Sequence, residues 1–211
     1  MTMGEETLHS QMALPVVIGP ILEKLEKKDI AAAQTLRAAF TKVEVVHPGF
    51  TYDLIKALLH KGEVFNKIDM CEALLRLEKI NESEEFQIDR SEDIYRTLNV
   101  KSRALKKILS WIPDEIHDRK KFLETIKDIA NAIRNLLDSV SKITEEMKDR
   151  GNPQLQNLEQ QKREFVKYSK RFSNTLKTYF KDGHQNDVYI SANHLIHQTN
   201  LIMKTLKVAS S

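Results

Sequence analysis

Few side chains in this sequence have the types and spacing that catalysis requires. Cys71 is the single cysteine and stands in a leucine-rich stretch, which favours a buried, inert thiol over a nucleophile. His194 and His197 would share one helix face, but no cysteine or carboxylate near them in sequence completes a metal site, so a metal-dependent hydrolase would rest on these two histidines alone. Glu145 and Glu146 are neighbours in a charged, solvated stretch, which gives general acid–base catalysis little support. The sequence therefore lacks a complete catalytic constellation.

The most informative residues form a repeated pattern of basic and small side chains. In each of two segments, two basic residues are seven apart with a small residue between them, and seven residues correspond to two turns of a helix. Each segment therefore predicts a helix with positive charge along one face. The pattern consists of Lys127, Ala130 and Arg134 in the first segment and Lys170, Ser173 and Lys177 in the second.

If these two helices are neighbours, their basic residues flank a floor of small side chains. Such a groove would attract the acidic edges of an amphipathic peptide helix, whose leucines would fill it. A plain alternative is a scatter of solvated lysines on a charge-rich surface. Another is phosphoinositide or membrane binding, in which Lys170 and Lys177 act through charge alone. Nucleic-acid binding is disfavoured because the basic surface lacks interleaved aromatic residues.

Hydrophobic periodicity places both basic patterns on long helices. Apolar residues from Phe122 to Ile143 step by four and three, the heptad spacing that presents a continuous seam to a partner. A similar seam covers residues 188–206, and two more helical patterns flank the first. Pro113 is expected in the first turn of the first long helix. Short connections then predict an antiparallel, up-and-down four-helix bundle.

The first 80 residues predict short helices that are rich in leucine and alanine. Asp29 is a good N-cap for a helix from Ile30 to about Val46. Thr51 and Asn66 are candidate caps for two more helices. These helices make a thin core, so we expect this part of the chain to gain hydrophobic contacts from a second chain.

Composition sets the class of protein. The chain has 211 residues, 41% hydrophobic and 30% charged, with six glycines and five prolines. So few turn-forming residues disfavour an all-β fold, and regular apolar spacing disfavours disorder throughout. No apolar run reaches the roughly 18 residues of a membrane span, and a lone cysteine excludes an internal disulfide. We therefore expect a soluble, intracellular and mostly helical protein.

Charge and composition also divide the chain. Residues 1–96 carry 12 Lys and Arg against 17 Asp and Glu, a net charge of −5, whereas residues 97–211 carry 21 against 13, a net charge of +8. This asymmetry indicates two modules with different partners. The expected organisation is a disordered N-terminus at 1–13, a helical domain that pairs with a second chain at 14–80, an acidic linker at 81–95 and a four-helix bundle at 96–211.

Four strings of residues closely resemble the programmed cell death protein 10 family, also called the cerebral cavernous malformation 3 protein family. They are AAAQTLRAAF at 31–40, SRALKKILSWIPDEIHDR from Ser102, KREFVKYSKRFSNTLKTYFKDG at 162–183 and SANHLIHQTNLI at 191–202. The resemblance runs from about residue 14 to the C-terminus and is strongest after residue 101. Strings of this length do not match by chance.

The resemblance implies an all-α fold, with an N-terminal helical dimerisation domain and a C-terminal four-helix bundle like the focal adhesion targeting domain. It implies an adaptor with no enzymatic activity and no cofactor. In the family, the N-terminal domain forms homodimers, or heterodimers with the C-terminal tails of class-three germinal-centre kinases. The bundle's groove binds leucine- and aspartate-rich helices, as in paxillin, and related helices of striatin and of the cerebral cavernous malformation 2 scaffold.

The resemblance also implies which residues bind. The family's dimer and kinase-tail positions fall here on Leu36, Ala39, Leu58 and Leu59. Its groove positions fall on the six residues of the basic pattern, and Arg134 stands where the family is expected to have lysine. That difference keeps the charge but changes the hydrogen-bond geometry, which bears on the choice of partner.

A cellular role follows from the same resemblance. It implies a cytoplasmic protein with Golgi and peripheral plasma-membrane association, within a striatin-interacting phosphatase and kinase complex. The implied outcomes are regulation of kinase stability and localisation, of apoptosis, and of the integrity of cell junctions and of vessels or tubes.

Overall fold

The computed structural model describes Leu8, residues 10–81 and residues 86–210. The chain divides into two compact units, Met1–Glu85 and Phe86–Ser211. All regular structure in the described residues is helical, which confirms the predicted all-α fold. Within the same residues, no helix is both long enough and apolar enough to cross a membrane.

Both units are built from helices joined by short turns. The N-terminal unit contains a π-helical segment Ala13–Ile18, α1 (Gly19–Glu26), α2 (Ile30–Val46), α3 (Phe50–Lys61), a 3₁₀ turn Phe65–Lys67 and α4 (Met70–Ile80). The C-terminal unit contains α5 (Asp93–Ser110), the single turn α6 (Ile112–Glu115), α7 (Arg119–Asp149), α8 (Leu155–Asp182) and α9 (Gln185–Ser210).

Local capping explains where α2 and α3 begin. Asp29 caps α2 as predicted, because its carboxylate accepts a hydrogen bond from the backbone N–H of Ala32 at 2.9 Å. The prediction that Thr51 caps α3 is wrong, since α3 begins one residue after Gly49, whose φ is +94°. A Cβ at Gly49 would also meet Oγ of Ser10 at 3.1 Å. Backbone conformation and space therefore both favour glycine at this turn.

The start of α4 differs from the sequence prediction as well. Asn66 lies in the 3₁₀ turn and does not cap the helix. The cap is Asp69, whose carboxylate accepts hydrogen bonds from the backbone N–H groups of Cys71 and Glu72 at 2.8 and 3.0 Å. Both residue types are good caps, so the three-residue shift follows from the 3₁₀ turn that precedes the helix.

A small hydrophobic core stabilises the N-terminal unit. The π-helical segment packs against α1, α3 and α4, while α1 packs against α2. One cluster of this core comprises buried Ala13, Tyr52, Ile55 and Met70, with Val17, Ile18 and Leu59 partly buried against them. None of these residues belongs to α2.

The described part of the expected disordered N-terminus is helical. Leu8 and residues 10–12 are in helix, and Leu8 and Met12 are each only 1% exposed. The four-residue spacing of Leu8, Met12 and Val16 puts three apolar side chains on one helix face, which accounts for their burial. Residues 1–7 and 9, to which the expectation of disorder also applied, lie outside the described residues.

The C-terminal unit is a four-helix bundle made from α5, α7, α8 and α9. The α5 and α8 helices each pack against both α7 and α9, so the four helices form a closed ring. Every residue of the predicted seam at 188–206 is buried. In the other seam Phe122 and Leu136 are buried, but Ile126 and Ile133 are only half-buried, because α7 also borders the groove described below.

The long helix α7 begins later than the sequence predicts. Pro113 lies in the single turn α6 and not in α7. The N-cap of α7 is Asp118, whose carboxylate accepts hydrogen bonds from the backbone N–H groups of Lys120 and Lys121 at 3.1 and 3.2 Å. Proline supplies a favourable first turn, and the aspartate then starts a new helix.

From residue 86 the acidic segment packs on α5, where sequence analysis predicted a linker. Ile88 is 2% exposed, its N–H donates to Oδ1 of Asn99 at 3.1 Å and its carbonyl accepts from Nδ2 of Asn99 at 3.0 Å. Arg103 donates to the side-chain oxygen of Gln87 at 3.1 Å. The side-chain amide of Asn99 thus replaces the backbone partners that an extended segment otherwise lacks.

Candidate docking surfaces

The first candidate surface lies on α2 and α3. Ala33 is the only buried residue among the 17 of α2. Leu36 is 42% exposed, Leu58 on α3 is 60% exposed, and Ala39 is exposed too. Leu59 is half-buried against the N-terminal core. Three of the four predicted dimer positions therefore lie on the surface of the single chain, and the fourth lies at the edge of its core.

Further exposed apolar residues on the same helices were missed by sequence analysis. They are Ile30 (61% exposed), Val45 (78%) and Val46 (63%) on α2 and Phe50 (40%) at the start of α3. A usable signal was present in the sequence, because the apolar residues of α2 occupy more of its circumference than one core-facing stripe needs. So many exposed apolar side chains on one small unit are typical of an interaction surface.

Glu44 holds the turn that joins these two helices. Its carboxylate accepts hydrogen bonds from the backbone N–H groups of Gly49 and Thr51 at 2.9 and 2.6 Å. Burial acts to raise the pKa of Glu44, but the hydrogen bonds from Thr51 and Gly49 together outweigh it, so the pKa lies below its ordinary value. The carboxylate also complements the positive end of α3.

The second candidate surface lies between α7 and α8, and contacts at both ends fix how these helices pair. At one end the ring of Phe122 meets the rings of Tyr179 and Phe180, with centroids 5.7 and 6.0 Å apart. Further along, Nζ of Lys162 donates to Oγ of Ser141 at 2.7 Å. The two contacts are 19 residues apart on α7 (Phe122 to Ser141) and 18 residues apart on α8 (Lys162 to Phe180). The antiparallel pair therefore stays in register between them.

This register predicts which of the six groove residues lie opposite one another. We call two residues at the same level, one on α7 and one on α8, a rung. Counting residues along each helix from these two contacts, we expect Lys127 to be level with Lys177, Ala130 with Ser173, and Arg134 with Lys170. All six side chains are exposed, so a rung of small residues lies between two basic rungs.

Half-buried side chains form the floor of this candidate groove. They are Ile126, Ile133 and Leu137 on α7 and Val166 and Ser169 on α8. The hydroxyls of Ser169 and Ser173 donate to backbone carbonyl oxygens one turn earlier in α8, at 2.8 and 3.1 Å. Because these hydroxyls have partners within their own helix, an apolar ligand could cover the floor at little desolvation cost.

Comparison with known proteins shows the family of this chain. A family model described as the dimerisation domain of programmed cell death protein 10 matches residues 6–65, and one described as the C-terminal part of programmed cell death protein 10 matches residues 68–164. The chain belongs to the programmed cell death protein 10 family. It is also 36% identical over 203 residues to the programmed cell death protein 10 homolog of Caenorhabditis elegans, with 92% of each chain covered. The resemblance drawn from the sequence is thereby confirmed.

The programmed cell death protein 10 dimerisation model covers α2 and α3 entirely. The exposed apolar side chains of the first surface therefore lie in the part of the chain that this family uses for dimerisation. The C-terminal model covers α7 and the first residues of α8. The α8 half of the candidate groove lies beyond residue 164, where this model ends.

The remaining chemical candidates of this programmed cell death protein 10 family member have packing contacts. The ring of His194 stacks on Tyr168 with centroids 4.8 Å apart. Burial lowers the pKa of His197 to about 4, so its imidazole is neutral at pH 7. Cys71 is buried, as its leucine-rich surroundings predict. Among the described residues, no three His, Cys, Asp or Glu side chains are grouped as a metal ion would require.

Proposed function

We propose that this protein is a bivalent adaptor that binds two classes of protein and catalyses no reaction itself. Its dimerisation domain would pair with a second copy, or with the C-terminal tail of a class-three germinal-centre kinase. Its groove between α7 and α8 would bind acidic amphipathic helices, with the leucine- and aspartate-rich motifs of paxillin, striatin and the cerebral cavernous malformation 2 scaffold as candidate ligands. Tethering would raise the effective concentration of the kinase near proteins bound to the groove.

The groove assignment is supported by the register of α7 and α8, which would put a small, exposed rung between two basic rungs above a largely apolar floor. None of the residues on these three rungs is acidic. The basic rungs match carboxylates along the edges of a peptide helix, while Ala130 and Ser173 leave room for its backbone.

The apolar floor also separates this proposal from phosphoinositide binding. A headgroup would be bound by the cations alone and would leave Ile133, Leu137 and Val166 without a role. A leucine-bearing helix uses both features. We therefore favour the peptide, and vesicles that contain phosphoinositide serve as the competing ligand in the test.

The test is a double charge reversal in the full-length chain, Lys170→Glu with Lys177→Glu. Fluorescence anisotropy would follow titration of a synthetic acidic, leucine-rich helical peptide, and affinity should fall at least about a hundredfold because attraction becomes repulsion. Lys107→Glu with Lys204→Glu is the matched control, since it changes net charge equally at exposed positions on α5 and α9. Unchanged peptide titration with the groove variant would refute the assignment, and loss of vesicle flotation alone would favour phosphoinositide.

The proposed cellular role follows from these two contacts. An adaptor that pairs with a kinase and binds striatin would regulate the stability and localisation of the kinase. We extend the proposal to apoptosis and to the integrity of junctions and vessels or tubes, and to the cytoplasm, the Golgi and the plasma-membrane periphery as places of action. A pull-down would use the wild type and a variant with Leu36→Ala and Leu58→Ala on the first candidate surface. Loss of the kinase with the variant, measured by mass spectrometry, would link the molecular proposal to that role.

A further inference from the structure

The face shared by α7 and α8 continues beyond the basic rung of Lys127 and Lys177. One turn further along, the same register puts Leu123 level with Phe180. Their side chains are 43% and 40% exposed, although both residues are large and apolar. Exposed apolar side chains that lie side by side are typical of a binding surface. The face therefore carries an uncovered apolar rung at one end.

A cation stands over this apolar rung. The guanidinium of Arg119 lies 5.9 Å from the centroid of the Phe180 ring, within the range of a cation–π interaction. Arg119 precedes Leu123 by four residues and Lys127 by eight, so all three lie along one face of α7. The sequence of features along the groove is thus a cation, an apolar rung, a basic rung, a small rung and a second basic rung.

We propose that Leu123, Phe180 and Arg119 form an additional specificity subsite, which selects acidic amphipathic helices long enough to reach it. The subsite would bind a large apolar side chain on Leu123 and Phe180 and a carboxylate beside Arg119. This inference rests on the proposed peptide-binding function of the groove. It goes further by naming the length of the ligand and the chemistry of one of its ends.

The spacing of the rungs gives the required length. From Lys127 to Arg134 the groove spans about 10 Å, or two turns of helix, at about 1.5 Å per residue. Including the apolar rung at Leu123 and the half-buried Leu137 at the other end extends it to about 21 Å, or four turns. A ligand helix of roughly 14 residues or more is therefore needed to use the whole face.

The chemistry of the subsite favours a peptide as its occupant over the bundle of a second copy of this chain. The exposed side chains of Leu123 and Phe180 and the guanidinium of Arg119 require a partner that supplies both an apolar side chain and an acid. An acidic amphipathic helix already seated on the basic rungs supplies both at its next turn. Continuity with the groove thus identifies the occupant as the same peptide.

The test uses the full-length protein and a synthetic 18-residue acidic amphipathic helix that has leucines every three or four residues along one face. Two further peptides carry alanine in place of the first or of the last leucine, since either end could reach the subsite. Leu123→Ala should weaken binding of the full peptide about tenfold, as truncation of an interface anchor does. The same substitution should cause no further loss of affinity for the peptide whose leucine at the contacting end is already alanine.

Two companion variants separate the subsite from unrelated effects. Arg119→Ala should weaken binding of the full peptide and reduce the salt dependence of that affinity. Val100→Ala, at an exposed apolar position on α5, should change neither quantity. Circular dichroism would check that Leu123→Ala remains folded, as its partial exposure predicts.

The outcomes distinguish this inference from the proposed function. If the Leu123 and Arg119 variants bind the full peptide as the wild type does, while Lys170→Glu with Lys177→Glu abolishes binding, the subsite is refuted and the groove stands. If the double charge reversal leaves binding unchanged, the groove and its extension are both refuted. Coupling between Leu123 and one terminal leucine of the peptide would support the subsite directly.

Discussion

Asp29 and Glu44 each use a carboxylate to satisfy backbone N–H groups at the start of a helix, but only Asp29 could be predicted. Asp29 stands directly before α2, where a cap is expected. Glu44 lies inside α2 and reaches N–H groups five and seven residues later. A contact that depends on a turn of known geometry cannot be found by spacing rules. Thr51, which the spacing rules favoured as the cap, instead donates its backbone N–H to the Glu44 carboxylate.

Replacing Glu44 with glutamine tests how much this turn depends on the carboxylate. Because the pKa of Glu44 in the folded protein lies below the ordinary value of 4.5, the charged form stabilises the fold above that pH. That contribution is lost as the pH falls through the folded pKa. At pH 7, Glu44→Gln should lower the free energy of unfolding by about 1 kcal/mol, measured by urea denaturation at fixed protein concentration.

The pH dependence gives this prediction its control. The difference between wild type and Glu44→Gln should shrink as the pH falls below 4.5 and through the folded pKa of Glu44, because protonation removes the same charge from the wild type. Glu124→Gln, at an exposed position on α7, should show no such convergence. A constant difference from pH 7 to pH 3 would mean that the glutamine perturbs packing and that the charge has no role.

Two helices show where periodicity alone predicts well and where it fails. On α7 the heptad pattern located the core but treated Ile126 and Ile133 like Phe122, although they are half-buried toward α8. Spacing gives the face of a residue and not the depth at which a neighbouring helix covers it. On α2 the apolar residues exceed what one core-facing stripe needs, and only Ala33 is buried in the single chain, as the expected thin core would have it.

Exposure on α2 and α3 leads to a prediction about pairing. Leu36→Ala and Leu58→Ala, made separately, should each weaken dimer formation by about 2–5 kcal/mol if the leucine is buried in the dimer. Each should change the unfolding free energy of the isolated chain far less, because the side chains are already 42% and 60% exposed there. Analytical ultracentrifugation over a range of concentrations would measure the shift toward monomer.

The same variants address the choice of partner. A kinase tail that uses this surface should lose affinity for both variants, and the loss can be followed with a labelled tail peptide. Val100→Ala, which removes an exposed apolar side chain from the other unit, is the matched control. Dimerisation as strong as that of wild type in both leucine variants would show that the dimer interface lies elsewhere on the N-terminal unit.

At the scale of the whole molecule, the division into an acidic and a basic half corresponds closely to the division into two units. The change from net negative to net positive charge lies near residue 96, whereas the boundary between the two units lies between Glu85 and Phe86. The difference arises because the segment from residue 86 is acidic in composition but packs through Ile88 on Asn99. Composition gives the charge of a segment. It does not show a side-chain contact such as that between Ile88 and Asn99, which attaches this segment to the C-terminal unit.

A dimer with two grooves should bind a crowded surface more tightly than one groove does. On a sensor surface densely coated with the acidic helical peptide, the wild-type dimer can engage two peptides, so its dissociation should be slower than that of a monomeric Leu36→Ala, Leu58→Ala double variant by a factor of about 10² or more. In solution, where each groove meets one free peptide, the two proteins should have the same Kd per groove. Equal dissociation rates on the dense surface would mean that the two grooves of a dimer cannot reach neighbouring peptides together, whereas a changed Kd in solution would mean that the two surfaces are energetically coupled.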